Sequence, residues 1–73
     1  MTKEDFRITL AAARVNAGMT QEDVANAMGV SKATILNWET GKFEIKPAQF
    51  KMYCDVVNVP EDIVSLPSVL PRI

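Results

Sequence analysis

Cys54 is the only thiol in the chain, histidine is absent, and Glu22 and Asp23 stand side by side. Without histidine, imidazole acid–base chemistry and the commonest metal ligand are both missing. Cys54 falls within an apolar stripe and reads as a buried small hydrophobe rather than a redox thiol. Glu22 and Asp23 fall at a helix start, where carboxylates cap backbone N–H groups and complement the helix dipole; they do not read as a catalytic pair. No glycine-rich phosphate loop is present. These features weigh against a self-contained enzyme and for a binding module with no cofactor, no metal and no evident small-molecule ligand. Lys32, Lys42 and Lys46 lie within fifteen residues of one another. They suggest a face for a polyanion, although ordinary solvated lysines have the same pattern. Trp38 could stack on a base or a ligand, but its helical spacing from Ile35 assigns it to the core.

A chain of 73 residues allows one domain. Hydrophobic residues make up 48% and charged residues 23%, with eight basic against nine acidic side chains and a net charge of −1. That balance excludes a disordered tail or a polybasic arm. A chain this short buries only about 60% of its unfolded surface, so every apolar contact matters. A single cysteine cannot form an internal disulfide, which fits a reducing, cytoplasmic setting. No apolar run approaches the length of a membrane span, and the polar N-terminus does not read as a signal peptide.

The elements that must position these residues are short helices separated by glycine and proline. The three glycines, Gly18, Gly29 and Gly41, are placed to end helices. Phe6, Leu10, Ala13 and Ala17 lie on one face of a first helix, predicted over residues 3–17. Thr20-Gln21-Glu22-Asp23 starts a second helix with a capping-box pattern, Asp replacing the usual Glu, and Val24, Ala25 and Met28 form its apolar face. Ser31 caps a third helix, in which Ile35 and Trp38 point the same way. Pro47 opens a fourth, whose stripe is Phe50, Tyr53, Cys54 and Val57 and whose end at Asn58 suits the left-handed conformation. A short fifth helix is predicted over residues 60–65. The domain then spans residues 1–66, with a proline-bearing tail at 67–73.

Residues 21–41, QEDVANAMGVSKATILNWETG, carry the functional information. Ala25 is small where two helices cross, Gly29 follows four residues on, then Ile35 six on and Trp38 three on. Gly29 lets the chain reverse without a Cβ clash, and Val24, Val30, Ile35 and Trp38 supply the packing wedge. This is the spacing of a helix-turn-helix. The string TQEDVANAMGVSKATILNWETGK resembles the lambdoid-phage repressor and Cro family, the XRE-type helix-turn-helix domains, and the similarity extends over about residues 10–66.

The resemblance implies an all-α, compact five-helix bundle, the lambda repressor-like DNA-binding domain. It implies a transcriptional regulator, most simply a phage or bacterial repressor, that binds double-stranded DNA as a homodimer on an inverted repeat. The third helix, about residues 31–40, would lie in the major groove. Ser31, Lys32, Ala33, Thr34 and Asn37 fall at base-reading positions: Lys32 suits guanine, Asn37 suits adenine, and the Ala33 and Thr34 methyls suit thymine or, for the Thr34 hydroxyl, a phosphate. Gln21, Thr40, Lys42 and Arg14 fall at phosphate-contacting positions. Arg14 and Glu39 match an ion pair tying the first helix to the end of the third; a solvated surface pair is the alternative.

Two features pull the other way. The sequence pI is near 5.2, and Glu44 lies in a loop that should run near the DNA backbone. Leu36 points away from Ile35 and Trp38, towards a thymine methyl or a protein. The rival reading is therefore a protein-interaction module on the same fold with weak or lost DNA binding. Phe50, Tyr53, Val69, Leu70 and Ile73 are the expected dimer contacts. A fragment of a longer regulator would look the same.

Overall fold

The structure is a computed structural model and describes residues 7–66. Its α-helices are α1 (Leu10–Asn16), α2 (Gln21–Met28), α3 (Lys32–Thr40) and α4 (Pro47–Val57). A two-residue strand β1 (Ile8–Thr9) precedes α1. After α4 come a single 3-10 turn (Glu61–Ile63) and a second short strand, β2 (Val64–Ser65). The strands pair in parallel, Ile8 opposite Val64 and Thr9 opposite Ser65, and so join the two ends of the described chain.

Two expectations need correction. The first helix starts at Leu10 because Thr9 is its cap: its backbone is extended and its hydroxyl accepts the Ala12 N–H at 3.0 Å. A threonine does this at a helix start more readily than it continues a helix from within. Phe6 and the earlier part of the predicted helix lie outside the described residues. The expected fifth helix is reduced to the 3-10 turn, so the described residues hold four α-helices rather than five. Pro60 opens that turn, and the β-branched Val64 is then drawn into the pairing with Ile8, where it is buried. The tail at 67–73, with Val69, Leu70 and Ile73, lies outside the described residues.

The core draws on every helix: Leu10 and Ala13 from α1, Val24 and Ala25 from α2, Ile35 and Trp38 from α3, and Tyr53, Cys54 and Val57 from α4. Ile45, from the loop before α4, and Val64 complete it. Ala25 is buried where α2 meets α3, and Val30 in the turn packs against the same cluster. Tyr53 is fully buried, so it is not available as the dimer contact expected of it; Phe50 is half-buried.

All four helices end in the same hydrogen-bonded turn. The N–H of Met19 reaches Arg14 O, Val30 reaches Ala25 O, Lys42 reaches Asn37 O and Val59 reaches Cys54 O, at 2.9–3.1 Å. The residue before each donor has positive φ: Gly18, Gly29, Gly41 and Asn58. In the α2–α3 turn, Gly29 sits at φ 74°. A Cβ there would meet nothing beyond its chain neighbours within 4 Å. The glycine is needed for its backbone angle and not for room. Gly29→Ala should therefore lower stability by about 1–2 kcal/mol, the cost of the left-handed conformation for a residue with Cβ. Gly29→Asn should cost less, as Asn58 already holds φ 60° in this protein. Urea unfolding of the two variants, compared with the parent, measures both.

Candidate nucleic-acid interface

The geometry of α3 separates its two sides. Ile35 is 0% and Trp38 5% exposed, which fixes the inner side. Lys32, Ala33, Leu36 and Thr40 are exposed on the other, and Thr34 and Asn37 are half-buried at its margins. Ser31 caps the helix, its Oγ accepting the Thr34 N–H at 3.1 Å and lying 2.9 Å from Thr34 Oγ1. These two hydroxyls are thus largely engaged with each other and with the helix start. The Thr40 hydroxyl is turned back onto its own helix, donating to Leu36 O at 2.9 Å with Asn37 O at 3.4 Å. Among the described residues, the Lys32 ammonium and the Asn37 side-chain amide have no hydrogen-bond or ion-pair partner.

Behind α3, one carboxylate gathers donors from the other three helices. Glu39 Oε2 accepts from Arg14 Nε at 2.8 Å and from the Tyr53 hydroxyl at 2.5 Å. Its Oε1 accepts from Arg14 Nη2 at 3.2 Å and from Gln21 Nε2 at 3.1 Å. Arg14 Nη1 also donates to Met19 O, in the turn before α2, at 3.0 Å. The pair is half-buried, with side-chain exposures of 13% for Arg14 and 4% for Glu39. Of the residues singled out from sequence, Arg14, Glu39 and Gln21 are therefore brought together, while Lys42 stands apart. The Lys42 ammonium lies 5.9 Å from the centre of the Phe43 ring.

Burial pushes the Glu39 carboxyl up, but the hydrogen bonds from Arg14, Tyr53 and Gln21 and the charge of Arg14 outweigh it, and the net shift is downward. Arg14 is raised, chiefly by its bond to Glu39. Tyr53 is raised by burial first and then by Glu39, so its phenol stays protonated and donates. Cys54 is pushed up to about 11 by burial, with smaller effects of Glu61 and Asp55, and is an unreactive thiol at neutral pH.

A guanidinium carries five N–H groups and an amide two. Arg14 commits three and Gln21 one to the protein. The remainder border an open polar depression lined by Arg14, Met19, Thr20, Gln21, Glu22 and Lys32. It sits at the start of α2, where the Thr20–Asp23 capping box occupies the N–H groups of those two residues. The first-turn N–H groups of Gln21 and Glu22 remain for an outside acceptor. Such an arrangement of donors and a helix N-terminus suits a phosphate.

Sequence reading passed over Tyr53 as a member of this cluster. The available signal was a tyrosine inside an apolar stripe, since a buried phenol needs a partner for its hydroxyl.

A family model described as helix-turn-helix matches residues 10–64 of the chain. No curated protein matches it significantly.

The cluster generates a pH prediction. Because the Glu39 carboxyl is depressed in the folded protein, its contribution is fully present above the ordinary carboxylate value near 4.5 and is lost as the pH falls through the lower folded value. Glu39→Gln leaves the half-buried Arg14 without its counter-charge and should cost about 1.5–3 kcal/mol, the range for hydrogen bonds to a charged group. It should also remove this carboxylate's share of the acid limb. Tyr53→Phe keeps the packing and should cost about 1.5–3 kcal/mol, the range for a hydrogen bond to a charged group. Urea midpoints measured from pH 3 to pH 7 check both the size and the sign.

Proposed function

Because the chain belongs to the Cro/C1-type helix-turn-helix family of DNA-binding transcriptional regulators, we propose that it recognises a specific double-stranded DNA sequence through α3 and acts as a repressor in the cytoplasm. The observation that carries this reading is the division of α3. Its inner side is locked by Ile35 and Trp38, and its outer side offers Lys32, Ala33 and Asn37 with their functional groups uncommitted. In the major groove Lys32 reads guanine O6 and N7, Asn37 reads adenine N6 and N7, and Ala33 meets a thymine methyl. Ser31 and Thr34 line the helix start, where their paired hydroxyls leave one proton to share with the DNA.

Phosphate is held by the N-terminal turn of α2, by the spare amide proton of Gln21 and by the two spare N–H groups of Arg14. Lys42 supplies a further, flexible charge. Thr40 drops out of this set as a side-chain donor, because its hydroxyl is already given to the helix. The acidic composition is compatible with this face. Asp23 is taken up in the α2 cap and Glu39 by Arg14, which leaves Lys32 and Lys42 to set the local field against the exposed Glu22 and Glu44.

The protein acts as a homodimer on an inverted repeat, with the two α3 helices about 34 Å apart, one turn of the duplex. With Tyr53 inside the core, pairing draws on exposed apolar side chains such as Phe43, Met52 and Leu66.

Selection from a random duplex library tests the whole reading. An enriched inverted repeat supports it; a bound pool without sequence preference, or binding that does not respond to salt, refutes it. Lys32→Ala and Asn37→Ala should each lose about 1–3 kcal/mol of discrimination at one base pair while the thermal midpoint stays nearly unchanged. Lys42→Ala should weaken all sequences alike and lower the slope of log affinity against log salt by about one.

A further inference from the structure

Leu36 is 46% exposed in the middle of a helix whose inner side is already filled by Ile35 and Trp38. It does not stand alone. Ala33 lies three residues before it and Thr40 four after, the offsets that place side chains on one face. Thr40 has turned its hydroxyl back to Leu36 O, so the free end of its side chain is a methyl. Ala33, Leu36 and Thr40 are all exposed and form an apolar strip along the outside of α3. Lys32 and Asn37 flank it with polar groups that have no protein partner among the described residues.

Resting on the DNA-binding reading above, we propose that this strip is a thymine reader, with Leu36 as its central specificity residue: it takes the C5-methyl groups of consecutive or near-consecutive thymines in each half-site. The chemistry of the surroundings selects this occupant. The strip is one side chain wide, whereas a stable protein interface needs about 800 Å² from each partner. The groups beside it, Lys32 and the depression formed with Arg14 and Gln21, supply cations and N–H donors that complement a polyanion, with Glu22 the one carboxylate in that lining. In the major groove, the apolar group that a base presents is the thymine methyl. A leucine is long enough to touch a methyl beyond the reach of Ala33, and it carries no donor or acceptor to be left unsatisfied when the groove is dehydrated. Asn37, next to it, can bond the adenine of the same or a neighbouring pair, so the two residues together favour A·T steps.

The test uses the duplex recovered from library selection. Each thymine of a half-site is replaced in turn by deoxyuridine, which removes the methyl and keeps the base pair and its hydrogen-bonding groups. One or two positions should lose about four-fold in affinity, the worth of one buried methyl-sized group. Leu36→Ala should bind the original duplex several-fold more weakly, keep the parent's salt slope and thermal midpoint, and no longer distinguish thymine from deoxyuridine at those positions. Leu36→Met should retain most of the distinction. The proposal is overturned if the parent shows a flat deoxyuridine profile, if Leu36→Ala has the parent's profile unchanged, or if Leu36→Ala alters self-association instead. A chain that enriches no duplex at all removes the DNA-binding reading itself. A flat profile with intact, salt-dependent binding removes only the role of Leu36.

Discussion

The carboxylate of Glu39 holds a side chain from each of the other three helices: Arg14 from α1, Gln21 from α2 and Tyr53 from α4. Both of its oxygens are doubly occupied. Short α2 and α3 could not persist alone in water, since isolated helices of this length are marginal. Apolar packing supplies the attraction that collects them, but it is non-directional. The hydrogen bonds to Glu39 add direction: they fix where α3 ends relative to the first turn of α2. That relation sets the distance between the outer side of α3 and the donors at the start of α2. A buried ion pair is seldom a strong source of net stability. Here its clearer consequence is geometric, because Arg14 and Gln21 reach the surface already oriented by the oxygens they share.

The same cluster bears on the charge of the molecule. A net charge of −1 is unpromising for a partner made of phosphates. Charge acts locally, though, and some of the acids are spent before they reach the surface field. Asp23 accepts the Thr20 N–H in the α2 cap and Glu39 is enclosed by its donors. Glu44 and Glu22 remain exposed near the outer face. Set against Lys32 and Lys42, they leave the face close to neutral overall, with its positive charge confined to those two side chains. On the proposed reading, recognition by such a face would lean on direct contacts to bases more than on non-specific attraction and would gain from two copies on one duplex.

Much of this arrangement was legible in the sequence because it is encoded locally. The capping box at Thr20, the Ser31 cap, Pro47 at the first position of α4 and the left-handed Asn58 all depend on residues within a turn or so of each other. The inward side of α3 followed from the spacing of Ile35 and Trp38. What escaped was long-range. The pairing of Ile8 with Val64 joins residues far apart in the chain and replaces helix at both ends, which no local propensity reveals. Tyr53 was read as part of an apolar stripe, correctly for its ring, but its hydroxyl reaches Glu39 on another helix. Gly29 ends α2 with positive φ, as its place in the sequence predicts, and the empty space around it shows that the backbone angle alone demands glycine.

Hydroxyl accounting explains why α3 presents the surface that it does. A helix outer side containing serine and threonine looks polar in sequence, and its hydroxyls look like candidate base or phosphate contacts. In the folded chain Ser31 and Thr34 bond each other at the start of the helix, and Thr40 bonds the carbonyl of Leu36 near its end. Apart from the one hydroxyl proton that the Ser31–Thr34 pair leaves over, the groups left to face outward are an ammonium, an amide and a row of methyls. A hydroxyl can rotate to donate or accept and so discriminates poorly among bases; an amide and a methyl row are far less adaptable. By engaging its hydroxyls with one another and, at Thr40, with its own backbone, the helix exchanges adaptable polar contacts for fixed ones. If α3 reads bases as proposed, the cost of a wrong base falls on groups that cannot readjust: an amide left without its partner, or a methyl row facing an unmethylated edge.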